Sequence, residues 1–118
     1  MGAMKFGSHY LPTYIPDLDG PVTEFYQKMF LQMEEMDRLA YDHIWLTEHH
    51  FAHYGGDLPH PPTFMSAIAR TTKQIRLRVA IHVLPLHNPL DIAESYAMVD
   101  VISHGRLDFG VGNGSEAQ

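Results

Sequence analysis

Ile44-Trp45-Leu46-Thr47-Glu48-His49-His50-Phe51 is an apolar, β-prone run that ends abruptly in a carboxylate and two imidazoles. A buried strand followed at once by ionisable groups is a common way for an α/β protein to present chemistry, because the rigid strand aims polar side chains from its carboxyl end. The pattern recurs downstream. Ala80-Ile81-His82-Val83-Leu84-Pro85 closes a second apolar run, and Phe109-Gly110-Val111-Gly112-Asn113-Gly114 closes a third.

Working outward, residues 5–11 read as the first strand, ended by Pro12, and residues 17–20 supply turn chemistry. Pro21 suits a helix's first turn. Val22, Tyr26, Met29, Met33, Met36 and Ala40 then follow the three-four helical spacing, and Phe25 and Phe30 widen the stripe. A methionine stripe of this kind is core more often than cofactor contact. The second strand covers residues 43–47, and its loop runs through Gly55-Gly56 to Pro59. Residues 62–72 read as a second helix. Residues 75–84 form a third strand, apolar enough to be covered on both faces. Asn88 caps a third helix with Pro89 at its first position; Ala93, Ala97 and Val101 give it a smooth face for the sheet, and Gly105 ends it. Residues 107–111 are the fourth strand.

Residues 1–118 therefore read as a single domain of three strand–helix units closed by a fourth strand. Such alternation implies a parallel sheet with right-handed crossovers. Periodicity does not separate an open doubly wound sheet from part of an eight-stranded barrel. Polar or glycine-rich motifs at three successive strand ends favour the parallel (β/α) barrel of the TIM type, here about half a barrel with four strands and three helices.

Composition narrows the function classes. The formal net charge of −6 argues against non-specific nucleic-acid binding and against attraction to an anionic membrane surface. No apolar run approaches the roughly 20 residues that span a bilayer. With no cysteine, disulfides, thiolate metal sites and a cysteine nucleophile are excluded, which fits a reducing cytoplasm.

Glu48-His49-His50 has two readings. An imidazole exchanges protons near neutral pH, and an adjacent carboxylate can orient it; equally, the three are a polar loop satisfied by backbone and water. His49, His50 and His53 invite a metal, but no nearby spacing completes a zinc signature, so no metal site is expected there. His82 interrupts an apolar run, either to touch a ligand or to hydrogen-bond within the core. Gly110-Val111-Gly112-Asn113-Gly114-Ser115 lets backbone approach a phosphate, or is a plain glycine-rich loop; it is not the dinucleotide fingerprint. Arg106 reads as a helix-end or salt-bridging residue.

Taken in order, these segments resemble the bacterial luciferase-like family of flavin-dependent monooxygenases. The resemblance rests on Phe6-Gly7, on residues 41–51 around the second strand, on Val83-Leu84-Pro85-Leu86-His87-Asn88-Pro89, on Ala93-Glu94, and on residues 100–107 leading into Phe109-Gly110-Val111-Gly112. It implies a (β/α) barrel that binds reduced FMN at the carboxyl ends of its strands and uses oxygen to oxidise a small organic substrate. By this resemblance His49 is the histidine near the flavin's reactive edge, with Glu48 orienting it and His50 as neighbour. Ala80-Ile81 matches the place where relatives carry a non-proline cis peptide beneath the flavin, with His82 beside it. Gly112, Asn113 and Gly114 match a phosphate-side segment.

Two departures from the family pattern stand out. Asn113 replaces a common arginine, and Arg78 replaces a common glycine, which is expected to strain or re-aim the third strand. Family members are also several times longer, so the chain is expected to be incomplete and to self-associate as a homo-oligomer. The alternatives are a catalytically silent assembly unit and an oxidoreductase using a deazaflavin.

Overall fold

In a computed structural model, residues 4–114 are described; residues 1–3 and 115–118, including the serine that closes the glycine-rich stretch, lie outside the described residues. The element order is β1 (Gly7–Tyr10), α1 (Pro16–Asp19), α2 (Val22–Arg38), β2 (His43–Leu46), α3 (Pro61–Thr71), β3 (Arg76–Val83), a 3-10 turn (Leu84–Leu86), α4 (Pro89–Ser103) and β4 (Leu107–Gly112). All strand pairs are parallel, in the order β1-β2-β3-β4. The result is a partial barrel with its helices on one side of the sheet.

Alternation decides which side each residue faces. Ile44 and Leu46 from β2 and Leu77 and Val79 from β3 are fully buried. They meet Met29 and Met33 of α2, Met65 and Ile68 of α3, and Tyr96 and Val99 of α4 in one apolar cluster. The opposite parity carries His43, Trp45, Arg76 and Arg78, all partly exposed. β3 is therefore not apolar on both faces, as the sequence led us to expect: leucine and valine alternate with arginines.

Other expectations shift as well. Residues 17–20 are not a plain turn; Pro16–Asp19 form a short helix that Gly20 ends at φ 72. Among the described residues four α-helices are present where three were expected. On α2 the buried stripe is Phe25, Met29, Met33 and then Asp37, while Val22 is exposed and Ala40, also exposed, lies beyond the helix end. On α4 the smooth face of Ala93, Ala97 and Val101 points away from the sheet; Ile92, Tyr96, Val99 and Ser103 are buried instead. The larger side chains reach the apolar cluster, and the alanines line the outer surface. Asn88 does cap α4, accepting from the Leu90 N–H at 2.9 Å. At the other end His104 adopts the left-handed conformation at φ 58, one residue before Gly105. Among the described residues no helix is long and apolar enough to cross a membrane.

Polar groups fix the amino-terminal end of β3. The buried Asp37 carboxylate, at the end of α2, accepts the backbone N–H groups of Lys73, Gln74 and Ile75 at 2.7–2.9 Å. The buried Arg106 guanidinium donates to the carbonyls of Ala69, Thr72, Ile75 and Ser103 and to the Thr72 hydroxyl. Arg106 is thus the helix-end clamp that the sequence suggested. Burial pushes the Asp37 carboxyl up, but three N–H bonds and the Arg106 charge outweigh it and hold it below its usual value.

Replacing Asp37 with alanine would strand three buried N–H groups, and we expect a loss of about 3 kcal/mol in urea unfolding. Because the folded carboxyl titrates below the unfolded one, its contribution is full above the usual carboxylate pKa and fades as pH falls through the folded value. Asp37→Asn should therefore flatten that acid limb of the stability profile. An unchanged limb would remove Asp37 from this role.

Candidate active site

The carboxyl ends of β2, β3 and β4 frame a cavity of about 290 Å³. Thr47, Glu48 and His49 form its β2 wall, Ala80, Ile81 and Val83 its β3 wall, and Asn113 and Gly114 its β4 rim. Residues distant in sequence converge here because parallel strands all end on the same side. Thr47 is fixed by its hydroxyl, which donates to the Tyr10 carbonyl at 2.9 Å and joins β2 to β1. Gly55, at φ 77, packs against Leu11, whose side chain a Cβ there would strike, and lies within ordinary contact distance of the His49 ring.

The β3 wall has a local origin. Val79 pairs with Phe109 and His82 with Val111, so three steps along β3 match two along β4. One residue is extra, as in a bulge. Ala80 and Ile81 consequently both line the cavity. The Ala80–Ile81 peptide is cis, as the family resemblance implied. Arg78 causes no such shift: it sits in register between Trp45 and Asp108, its guanidinium 4.9 Å over the Trp45 ring and its Nε 2.7 Å from Asp108.

The extra residue also turns His82 out of the cavity. Expected as a cofactor contact, it is instead buried on the helix side, Nδ1 2.7 Å from Glu48 and 3.1 Å from the Tyr96 hydroxyl. Glu48 is the hub. Its Oε1 accepts from Nε2 of His50 at 2.7 Å and of His87 at 2.5 Å; its Oε2 accepts the Val83 N–H at 3.0 Å and His82 Nδ1. Four donors fill what two carboxylate oxygens can accept.

Burial raises the Glu48 carboxyl, but the hydrogen bonds from His50, His87 and Val83 lead the effects that outweigh it, and it stays below its usual range. Burial lowers His82 more than the Glu48 charge raises it, which favours the neutral ring. Tyr96 is pushed up, first by burial and then by Glu48, and stays a phenol.

Of the expected site residues, the structure gathers Glu48, His49, Ala80, Ile81, Asn113 and Gly114 around one cavity. Gly112 stands just behind: a Cβ there would collide with the Ile81 side chain. His50 meets Glu48 instead of lining the cavity. The sequence reading assigned no role to His87 or Tyr96. His87 precedes the α4 cap, and nothing in local spacing ties it to Glu48. Tyr96 lies two turns into α4 and looks like core.

A family model described as luciferase-like monooxygenase matches residues 4–118. The chain belongs to the luciferase-like monooxygenase family. It is 35% identical over 118 residues to limonene 1,2-monooxygenase of Rhodococcus erythropolis, covering 98% of this chain and 29% of that one. Among solved structures, the monooxygenase RslO1 of Streptomyces bottropensis superposes with a TM-score of 0.86 at 37% identity, over 92% of this chain and 33% of that one. The oxygenating constituent of 3,6-diketocamphane monooxygenase of Pseudomonas putida, solved in complex with FMN, also gives 0.86, at 23% identity over 97% and 30% of the two chains. That last likeness is one of fold. The luciferase-like chain described here spans about 30% of the length of these relatives.

Proposed function

We propose that these residues are part of a monooxygenase barrel that binds reduced FMN and, with oxygen, oxidises a small organic substrate. The observation that carries this reading is the convergence of His49, Ala80-Ile81 and Asn113-Gly114 on one cavity from three strand ends. Its similarity to monooxygenases, one of them solved with FMN, supports the same reading.

The donor set suits a flavin. Ala80 and Ile81 give the β3 wall apolar side chains on which a flat ring system can rest. Asn113 and Gly114 form the β4 rim, where the phosphate end would lie, while Gly112 behind them makes room for the Ile81 side chain. A bound flavin supplies the oxygen chemistry, and the protein supplies position and exclusion of water. His49 would hold or pass a proton at the cavity wall. Glu48, buried within that wall, and His50 beside it would act indirectly: their contacts tie the β2 end to β3, keeping His49 in place. Asn113 would offer the phosphate a neutral amide in place of an arginine fork.

Two measurements test the site. In a complete, active enzyme, His49→Ala should slow turnover at least about tenfold, a floor below the usual worth of proton-transfer help. Unchanged turnover at saturating substrate would end this role for His49. By equilibrium dialysis the 118-residue chain should bind FMN weakly, and Asn113→Arg should strengthen that binding and make it more salt-sensitive. Tight stoichiometric binding by the unaltered chain would contradict the argument, and preference for a deazaflavin over FMN would favour hydride transfer over oxygenation.

The chain should also self-associate. β1 and β4 are the two edges of the sheet, and parallel pairing of the β1 edge of one copy with the β4 edge of another would rebuild eight strands about a two-fold axis. Light scattering during size exclusion checks this. A monodisperse species near 13.4 kDa would rule it out.

A further inference from the structure

Glu48, His82 and His87 come from the end of β2, the end of β3 and the lead-in to α4, yet their donor atoms all lie within 4.8 Å of one another. The Glu48 side chain is fully buried and that of His82 nearly so, at 2% exposure, whereas His87 retains 18% and neighbouring His50 24%. The cluster is closed below and open to solvent on one side.

Three imidazole nitrogens and one backbone N–H, drawn from three separate segments, converge on the two oxygens of this one buried carboxylate. His82 Nδ1 carries at most one proton, yet it faces both the Glu48 carboxylate and the Tyr96 hydroxyl.

We propose that Glu48, His82 and His87 form a binding site for a divalent transition-metal ion of the zinc type. Two imidazoles and one carboxylate are a ligand set that Zn²⁺, Co²⁺ and Fe²⁺ accept, and open positions remain for water or His50. An ion bonded at about 2.0–2.2 Å to nitrogen and oxygen separates neighbouring ligand atoms by roughly 3 Å. The 2.5 and 2.7 Å contacts of Glu48 with His87 and His82 would open by about half an ångström as the ion replaces the shared protons. The ion neutralises the buried carboxylate and pins three segments at one point. Its role is structural, within the wall that carries His49. The site is distinct from the His49-His50-His53 grouping that local spacing suggested, because its members are 34 and 5 positions apart.

Metal-free chain titrated with Co²⁺ should show ligand-field absorption that saturates at one equivalent and is displaced by Zn²⁺. His87→Ala, a partly exposed position, should weaken that binding at least about tenfold, the scale seen when a metal site loses a supporting group. His53→Ala, on an exposed loop residue, should leave it unchanged. Nitrogen-15 spectra of the histidine rings give a readout on the unaltered protein: Zn²⁺ should move the His82 proton from Nδ1 to Nε2. A titration without ligand-field bands, bands that persist in His87→Ala, or an His82 ring indifferent to Zn²⁺ would each overturn the proposal.

Discussion

β3 is held at each end by a buried carboxylate, and the geometry of the cavity depends on that double anchorage. Asp37 gathers the N–H groups of residues 73–75 before the strand begins, and Glu48 accepts the N–H of Val83, its last residue. A carboxylate that accepts several N–H bonds is stable only when all of them are made, so both ends are fixed in register. The extra residue of β3 relative to β4 then has no free end toward which to slide. It is taken up between Val79 and His82, where Ala80 and Ile81 turn toward the cavity.

The two faces of the sheet solve different problems. On the helix side, Ile44, Leu46, Leu77 and Val79 exclude water with apolar side chains. On the other side, Trp45, Arg78 and Asp108 lie abreast on adjacent strands, so one row of cross-strand contacts runs from an aromatic face through a guanidinium to a carboxylate. Arg76 adds two bonds to the same carboxylate, one to each oxygen. Asp108 falls to about 2, mainly through its bond to Arg76 and then to Arg78, with burial acting against them. These groups are each a quarter to two-fifths exposed, so the row contributes to register more than to net stability.

What could be read from the sequence follows the range of the interactions. The strand–helix alternation, the Asn88 cap and the chemistry at three strand ends are encoded locally, by period and by residues within a turn of each other. The buried face of α4 was misread because small residues at helical spacing look suited to a sheet, while the deciding factor was which side chains could reach the cluster around Val79 and Met65. His82 was misplaced for a sharper reason: its side depends on an extra residue in β3, which exists only by comparison with β4. Asp37 went unnoticed because an acid in the last turn of an amphipathic helix reads as solvated, and its three partners lie more than thirty residues away.

The relation between Glu48 and His49 shows how the fold constrains the chemistry. Glu48 and His49 follow the last residue of β2 and both border the cavity, yet the partners of the carboxylate come from three other places in the chain. Glu48 continues the parity of Ile44 and Leu46 and spends its acceptor sites on His50, His82, His87 and Val83. His49 continues that of Trp45 and meets the cavity. The pair divides its work within one wall: the buried carboxylate ties the end of β2 to β3, and its neighbour brings an imidazole to the cavity. Any change at Glu48 should therefore reach the cavity through the placement of β3's last residues as much as through His49. That makes the carboxylate a positioning residue for both walls of the site.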